Sequence, residues 1–256
     1  MEQQVNADAR PHYLLTALGI HPTMTNYALK GKTAKAEHSP LALLQLLQPE
    51  DRPDMVLCLL TQKAREQVWV NFSKEVKRLG VNAQPIDIPD VDDSAQMTAI
   101  IQDVAEKIAP DSRLTLDITH GPRHIPFVFY ALALYLSGFR DVEIASVWYG
   151  NFESPATNKP LINLRSLLNL PQWLYAVKIF RETGFTKALA QRFEALQRNL
   201  PKGPERGPST KVAKALNRFS MAYESGLPME LGLAAGELCH ALENTPLQEM
   251  PGLSLP

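Results

Sequence analysis

The segment from Arg113 to Pro126, RLTLDITHGPRHIP, combines the residue types that hold an anionic nucleotide. A strand pattern ends in this segment and passes through a glycine-containing turn into an apolar helix pattern. Thr119 and His120 offer hydrogen bonds at the end of the strand, and Gly121 lets the backbone approach a ligand closely. Arg123 can contact a phosphate or a purine edge with its planar guanidinium. The segment is therefore a candidate nucleotide-binding turn.

The same segment also fits an ordinary turn between a strand and a helix. In that interpretation His120 and His124 are solvated, and Arg123 pairs with an acidic neighbour. Residue types alone leave both interpretations open. In either one, Asp117 is expected to orient the turn rather than to contact an anion.

The loop after the first predicted strand, residues 19–27, is a second candidate contact region. It contains Gly19, Thr23 and Thr25, whose backbone and hydroxyl groups could hold a ribose or an adenine. Loops are polar in general, so only the position of this loop at the edge of the sheet favours a role in binding. Polar or aromatic residues also follow two other predicted strands, at 61–63 and 148–153. Ligands of doubly wound folds bind outside the carboxyl ends of the strands, so these regions are expected to converge on one site.

The candidate residues belong to an alternation of short apolar runs and longer helical patterns, which predicts a parallel sheet covered on both faces. The expected fold class is α/β: a Rossmann-like, doubly wound, mainly parallel sheet with a C-terminal all-helical extension. The predicted strands are Tyr13–Leu18, Met55–Leu60, Ala83–Ile88, Arg113–Ile118 and Val142–Trp148, with a short strand-like piece at Leu161–Leu164. The predicted helices are Pro40–Leu47, Ala64–Leu79, Ser94–Ile108, Ile125–Ser137, Trp173–Arg181, Thr186–Asn199, Lys211–Glu224 and Met229–Glu243.

Length and composition fit this architecture. The chain has 256 residues, of which 45% are hydrophobic and 21% charged, so it can bury a sizeable core and is not of the disordered class. Its two cysteines, Cys58 and Cys239, are too few and too far apart for a disulfide framework. The first ten residues lack the apolar stretch of a signal peptide, and no run approaches the ~20 apolar residues of a membrane span. We expect a folded protein in a reduced, cytoplasmic setting, with no membrane partner.

Charge divides the chain into three segments. Residues 1–160 have a balance of −4, residues 165–218 of +8 and residues 219–256 of −5, although the net charge of the chain is only −1. Proline and glycine at 200–210 predict a flexible linker. The expected organisation is an α/β domain at 11–165, linking or dimerisation helices at 166–199, the linker at 200–210, a helical segment at 211–245 and a disordered tail at 246–256.

Several catalytic and cofactor motifs are missing from the sequence. It contains no GxGxxG or Walker phosphate loop, no CxxC pair, no HExxH and no GxSxG. His120 and His124 have a four-residue spacing, but Gly121 and Pro122 between them prevent a common helical face. We therefore expect no metal site and no cofactor.

The sequence DITHGPRHIP at 117–126 resembles the signature of CARF domains, the Rossmann-like sensors of CRISPR-associated effector proteins. In the type III effectors that it resembles most, the signature runs Asp-x-Thr-His-Gly-x-Arg before an apolar helix. The resemblance covers roughly residues 11–185, and its weaker matches are Leu18–Tyr27, Tyr149–Glu153 and Gln172–Val177. Pro122 departs from the family, which has Phe or a similar residue at that place, and it makes the turn stiffer.

The resemblance implies a homodimer in which two copies of the strand-end edge bind a cyclic oligoadenylate, a tetra- or hexa-adenylate made by the type III interference complex. The implied function is a sensor in antiviral defence that transmits the signal to a C-terminal output module. A ring of repeating phosphates and adenines needs glycine amides, arginine and hydroxyl donors, supplied twice. The residues assigned to the ring by position are Thr119, His120, Gly121 and Arg123, with Gly19, Thr23 and Thr25 as weaker candidates.

Some CARF proteins carry a HEPN ribonuclease, marked by Arg, four to six residues, and then His on a helix. Arg113 and His120 match that spacing, but they lie on and just after a predicted strand, and His240 has no arginine at the required distance. We therefore expect no HEPN activity in this chain.

Two further alternatives stay open for a protein that resembles this family. A ring nuclease would cleave the cyclic oligoadenylate without a metal, by attack of a ribose 2′-hydroxyl, with Thr119, His120 and Arg123 as catalytic candidates. A DNA-binding regulator would need a recognition helix, and Met229–Glu243 contains three glutamates and no lysine or arginine. Double-stranded DNA is therefore not expected as a partner.

Overall fold

A computed structural model of the chain describes residues 10–89, 94–199 and 206–245. The chain divides into two compact units, one up to Arg165 and one from Ser166 onward. The first unit contains an eight-stranded, mostly parallel sheet with flanking helices, and the second is helical. This is the Rossmann-like α/β fold with a C-terminal helical region that the sequence predicts.

The sheet is built on a parallel core that antiparallel strands extend at one side. In chain order its strands are β1 (His12–Ala17), β2 (Thr25–Leu29), β3 (Lys32–Ala36), β4 (Met55–Leu60), β5 (Asn82–Asp87), β6 (Arg113–Asp117), β7 (Glu143–Gly150) and β8 (Lys159–Asn163). Their spatial order is β3-β2-β8-β7-β6-β1-β4-β5. All pairs from β7 to β5 are parallel, whereas β8 runs antiparallel to β7. The carboxyl ends of β1, β4, β5, β6 and β7 therefore share one edge.

Five helices belong to the first unit and four to the second, within the described ranges. Those of the first unit are α1 (Ser39–Leu46), α2 (Gln62–Gln67), α3 (Trp69–Arg78), α4 (Ser94–Lys107) and α5 (Ile125–Phe139). Those of the second are α6 (Asn169–Thr183), α7 (Lys187–Asn199), α8 (Arg206–Glu224) and α9 (Pro228–Glu243). None of these helices is long and apolar enough to cross a membrane.

The hairpin of β2 and β3 occupies a region that the sequence analysis treats as a loop up to Tyr27. Its turn consists of Lys30 and Gly31, whose φ angles are 48° and 80°. Two consecutive left-handed residues are what a two-residue hairpin turn requires, and glycine adopts that conformation without strain. The hairpin extends the sheet through a short parallel pairing of β2 with β8.

Two predicted segments need correction. The helix expected over Ala64–Leu79 divides into α2 and α3 at Val68, whose φ of −122° is not helical and whose side chain is buried. The linker expected at 200–210 is helical from Arg206, with Pro208 in the first turn of α8, where no intrahelical donor is lost. The rest of that linker and the tail expected at 246–256 lie outside the described residues.

One face of the sheet packs against α1 and α3 in a single apolar cluster. Leu14, Leu43, Val56, Phe72 and Trp148 join β1, α1, β4, α3 and β7 in this cluster. Seven of the eight residues of α1 are buried, as expected for a helix that is apolar all round. Each leucine that is fully buried there stabilises the fold by about 1.5–3 kcal/mol, so α1 holds its N-terminus firmly at the carboxyl edge of the sheet.

The second unit has its own core, formed between α6, α7, α8 and α9. Ala176, Phe193, Leu216 and Leu238 are buried in it, one from each helix. The buried Thr186 hydroxyl donates to the Leu216 carbonyl at 2.7 Å and joins the start of α7 to α8. This helical unit therefore has an apolar core independent of the sheet.

Candidate ligand-binding edge of the sheet

The carboxyl ends of β1 and β6 meet the start of α1 around the side chain of Asp117, which is fully buried. Its Oδ2 accepts hydrogen bonds from the hydroxyls of Thr16, at 3.1 Å, and Ser39, at 2.6 Å. Its Oδ1 accepts from the hydroxyl of Thr119, at 2.5 Å, and from the backbone N–H of Thr119, at 3.2 Å. Asp117 thus has the orienting role that its position in the sequence predicts.

All four groups around Asp117 are donors, which is the arrangement that suits an ionised carboxylate. Burial raises the pKa of Asp117, and the hydrogen bonds from Ser39, Thr119 and Thr16 oppose that shift. Sequence reasoning misses Ser39 and Thr16, because their role depends on how α1 packs against the sheet. The only signal for Ser39 in the sequence is its place before Pro40 at the start of a helix.

The hydroxyl of Thr119 is used within the protein. It donates to Asp117 and accepts from the backbone N–H of Gly150 at 2.9 Å. A hydroxyl has one proton, so this one is not available to a ligand. Thr119 is therefore a positioning residue that joins the turn after β6 to the end of β7.

His120 lies among aromatic rings at the same edge. Its Nε2 accepts a hydrogen bond from the backbone N–H of Ser39 at 3.1 Å and is 3.4 Å from the Tyr27 hydroxyl. Its ring centroid is 5.4 Å from that of His38 and 5.6 Å from that of Phe152. Burial lowers the pKa of His120 to about 4, so the ring is neutral at pH 7.

The hydrogen bond from Ser39 fixes the tautomer of His120. Because Nε2 is the acceptor, the proton of the neutral ring is on Nδ1. No described residue forms a hydrogen bond with that Nδ1. His120 therefore presents a neutral N–H donor with no partner in the described structure.

His38 lies next to His120 and just before α1. Burial, followed by the His120 imidazole, lowers the pKa of His38 to about 4, with the Gly19 backbone acting in the opposite direction. The ring packs edge-on against Phe72, with centroids 5.5 Å apart. Both imidazoles are thus neutral at pH 7, and Arg123 supplies a positive charge in the turn after β6.

Two glycines allow the close approach of the loops at this edge. Gly121 has a φ of +98°, and a Cβ there would lie 2.6 Å from the Cβ of Ala17. A Cβ on Gly150 would lie 2.9 Å from Cγ2 of Thr119. Any larger residue would push the turn after β6 away from β1 and β7.

Arg123 is exposed and lies in the turn before α5. No carboxylate from the described ranges lies within 4.0 Å of its guanidinium. The alternative in which Arg123 pairs with an acidic neighbour therefore has no partner in the described structure. His124 is partly buried, and its Nε2 is buried without a hydrogen bond, so it is not the solvated residue of that alternative.

The candidates from the loop after β1 lie at different places. Gly19 is next to the turn, since a Cβ on it would be 3.9 Å from the Gly121 nitrogen. Thr25 is the first residue of β2, and its hydroxyl donates to the carbonyl of the exposed Thr23 at 2.9 Å. No hydrogen bond of the described structure joins Thr23 or Thr25 to His120. Tyr27, two residues further on, is the member of this loop that reaches His120.

Together these groups form an edge that can bind a phosphate or a nucleotide. A rigid turn presents the guanidinium of Arg123 and the Nδ1–H of His120, beside the exposed ring of Phe152. Within the part of the chain that the structure describes, no group of three or more His, Cys, Asp or Glu side chains is placed to hold a metal ion.

The fold and this edge define a Rossmann-like α/β protein with polar groups facing outward at the carboxyl ends of its strands. No protein-family model matches the sequence, and no curated protein matches it.

Proposed function

We propose that this protein is a cyclic oligoadenylate sensor of the CARF type, part of a type III CRISPR antiviral effector. The ring, a cyclic tetra- or hexa-adenylate, binds between the strand-end edges of two copies of the chain. The second, helical unit transmits the signal to an output module. The protein acts in the cytoplasm, where the interference complex makes its ligand.

One observation carries this proposal. In the DITHGPRHIP segment the Asp117 carboxylate and the Thr119 hydroxyl are saturated by internal hydrogen bonds, whereas Arg123 and Nδ1 of His120 have no partner within the described ranges. The segment is therefore a rigid turn that holds free donors, as an anionic ring with adenine acceptors needs.

The exposed aromatic side chains of α5 support the homodimer. Phe127 is 74% exposed and Phe139 is 80% exposed, and Tyr130 and Tyr135 are exposed as well. A helix that directly follows the binding turn and leaves large apolar side chains in water favours association with another protein surface. A second copy that covers α5 would bring a second turn close to the first.

A thermal-shift measurement tests the proposal. Cyclic tetra- or hexa-adenylate should raise the unfolding temperature, because a ligand at about one hundred times its Kd stabilises the fold by about 2.7 kcal/mol, while AMP and ATP should not. The Arg123→Ala variant should lose the shift, and the control Arg78→Ala, on the exposed face of α3, should keep it. No shift of the unfolding temperature with either ring, or a full shift in Arg123→Ala, would contradict the proposed binding site.

The ring nuclease is the first alternative at the same edge. It would need Thr119, His120 and Arg123 to hold a ribose 2′-hydroxyl in line with the adjacent phosphate. The Thr119 hydroxyl proton is already engaged, and a His120 with a pKa of about 4 is a weak base at pH 7, so the structure favours binding over cleavage. Incubation with cyclic tetra- and hexa-adenylate in chelator, followed by chromatography, separates the two functions.

A DNA-binding regulator is the second alternative. Helix α9, the segment expected to serve as a recognition helix, contains Glu230, Glu237 and Glu243, and Glu237 pairs with Arg218 at 2.7 Å. Phosphates would be repelled by that helix. Nanomolar duplex binding with a steep salt dependence would favour this alternative over the sensor.

A further inference from the structure

A cavity of about 240 Å³ lies at the opposite end of the same sheet face, near the amino ends of the strands. It is open to solvent and is lined by the end of α1 and the residues just after it, the turn of the β2–β3 hairpin and strands β1, β6, β7 and β8. Its polar lining includes His12, Thr115, Ser146, Trp148, Asn163 and the hairpin residues Lys30 and Lys32.

A row of hydrogen-bonded polar side chains forms the wall of this cavity on the sheet. Nε2 of His12 is 2.9 Å from the Thr115 hydroxyl, which is 3.1 Å from the Ser146 hydroxyl. Three polar groups in a row across β1, β6 and β7 interrupt the apolar packing of this face, as the cluster around Asp117 does at its other end. This end of the sheet face is therefore polar.

A β-bulge brings Ser146 into that row. Leu114 pairs with Ile144, but the next residue, Thr115, pairs with Ser146, so Ala145 is the additional residue. Without the bulge, alternation along the strand would turn the Ser146 side chain to the other face. Bulges frequently redirect a side chain at a binding site, and Ala145 itself lines the cavity.

Trp148 and Asn163, which also line the cavity, each have a donor that lacks an acceptor. The indole N–H of Trp148 is buried with no hydrogen bond, and an indole can only donate. Oδ1 of Asn163 accepts from the backbone N–H groups of Val147 and Arg165, so its NH₂ group is the free end. The Asn163 NH₂ group is therefore a neutral donor available to a ligand, whereas the indole N–H of Trp148 is shielded from solvent.

Two cations lie at the hairpin side of the cavity. Neither Lys30 nor Lys32 has a carboxylate within 4.0 Å in the described ranges. The one acidic side chain of the lining, Asp51, already faces the Arg113 guanidinium at 3.8 Å. The cavity thus has an excess of unpaired positive charge and of donors.

We propose that this cavity binds a small organic anion through a phosphate or carboxylate group. The anion is held by Lys30, Lys32 and the amide of Asn163, and its polar body contacts the Thr115–Ser146 hydroxyl row. A volume of about 240 Å³ equals that of about eight liquid waters at ~30 Å³ each, which suits a sugar phosphate or a dicarboxylate. A cyclic oligonucleotide does not fit, so this site is separate from the edge at Arg123 and does not depend on the proposed function.

Calorimetric titration of the full chain tests this proposal with ribose 5-phosphate, inorganic phosphate and succinate as probes and with neutral ribose as the control ligand. We expect saturable binding of at least one anion and none of ribose. The double variant Lys30→Asn with Lys32→Gln should bind about tenfold more weakly or worse. Asn at position 30 keeps the left-handed turn, so the hairpin stays folded.

Two control variants complete the experiment. Lys35→Gln, on β3 but outside the cavity, should bind the anion as the unchanged chain does, and so should Arg123→Ala. The double lysine variant should in turn keep any response to cyclic oligoadenylate. Absence of binding by all three anions, or equal affinity in the double lysine variant, would overturn the proposal.

Discussion

The two ends of one sheet face are built in opposite ways. At the carboxyl end, four donors surround the buried Asp117 carboxylate, and two glycines let the turn after β6 lie close against β1 and β7. At the amino end, the neutral row from His12 to Ser146 borders a cavity of about 240 Å³. The carboxyl end fixes the geometry of a turn at the surface, whereas the amino end leaves space for a ligand.

This difference follows from the chemistry of the central group. A buried carboxyl group must have its oxygens satisfied by hydrogen bonds, so its neighbours are held in one arrangement. Hydroxyls and a neutral imidazole can exchange partners at lower cost, so they tolerate a void beside them. A ligand at the carboxyl end should therefore meet a preformed surface, and one at the amino end should enter a space.

Removing the carboxylate should have the largest effect. Asp117→Ala leaves the Ser39 hydroxyl buried without its acceptor and the Thr16 hydroxyl with only the Ala17 carbonyl, at 3.3 Å, and should lower the free energy of unfolding by about 3 kcal/mol. Ser146→Ala, its counterpart at the amino end, should cost about 1 kcal/mol, because Thr115 keeps His12 as a partner. Urea denaturation measures both, and equal losses would contradict the contrast between the two ends.

Adding one carbon atom should have the second-largest effect on stability, and the effect should differ between the two ends. Gly121→Ala places a Cβ 2.6 Å from that of Ala17 at a φ of +98°, so we expect a loss of about 2 kcal/mol or more. Ser146→Thr adds a methyl group beside the cavity and should cost less than about 1 kcal/mol. Thermal unfolding of the two variants checks this order, and a more harmful Ser146→Thr would mean that the amino end is not open.

Acid should destabilise the carboxyl end through its two imidazoles. The pKa values of His38 and His120 are lowered from 6.5 to about 4. Between pH 6.5 and 4 the unfolded chain therefore binds more protons at these residues than the folded chain does. Stability should therefore fall as the pH falls from about 6.5 to 4, by up to about 1.4 kcal/mol per pH unit for each ring. His12 contributes in the same direction, because burial and then the Arg113 charge lower its pKa.

Denaturant titrations at several pH values measure this dependence. His38→Gln should reduce the slope of the unfolding free energy against pH between pH 6.5 and 4 by the contribution of about one bound proton. At about pH 8 the slope of the variant should equal that of the unchanged chain. An unchanged slope in the acid range would mean that His38 takes up its proton in the folded state.

Removing the exposed guanidinium should have the smallest effect on stability. Arg123→Ala breaks no ion pair of the described structure, so the free energy of unfolding should change by less than about 0.5 kcal/mol. The same denaturation measurement as for Asp117→Ala checks this. A loss above about 1 kcal/mol would give Arg123 a structural role and weaken its assignment to a ligand.

The parallel core and the turn at its edge could be predicted from the sequence, because their patterns are local. The run Met55–Leu60 is continuously apolar, as a strand buried on both faces must be, and the structure has the same bounds. The hairpin of β2 and β3 could not be predicted, because its lysines and threonines face solvent, which removes the apolar alternation that identifies strands.

The supporting residues of the edge could not be predicted, because they come from distant parts of the chain. Ser39 lies 78 residues from Asp117 in sequence and reaches it only because α1 is buried against the sheet. The same packing places the Ser39 amide on His120 and so determines which ring nitrogen is free. Thr119 is the opposite case. Its residue type suggests a ligand contact, but its hydroxyl is hydrogen-bonded to Asp117 and Gly150.

Isothermal titration of the full chain with cyclic tetra- and hexa-adenylate tests the central claim most directly. The account predicts saturable binding of one ring size, at one ring per two chains, with loss of the heat signal in Arg123→Ala but not in Arg78→Ala. Absence of binding by either ring, or binding that is unchanged in Arg123→Ala, would contradict it.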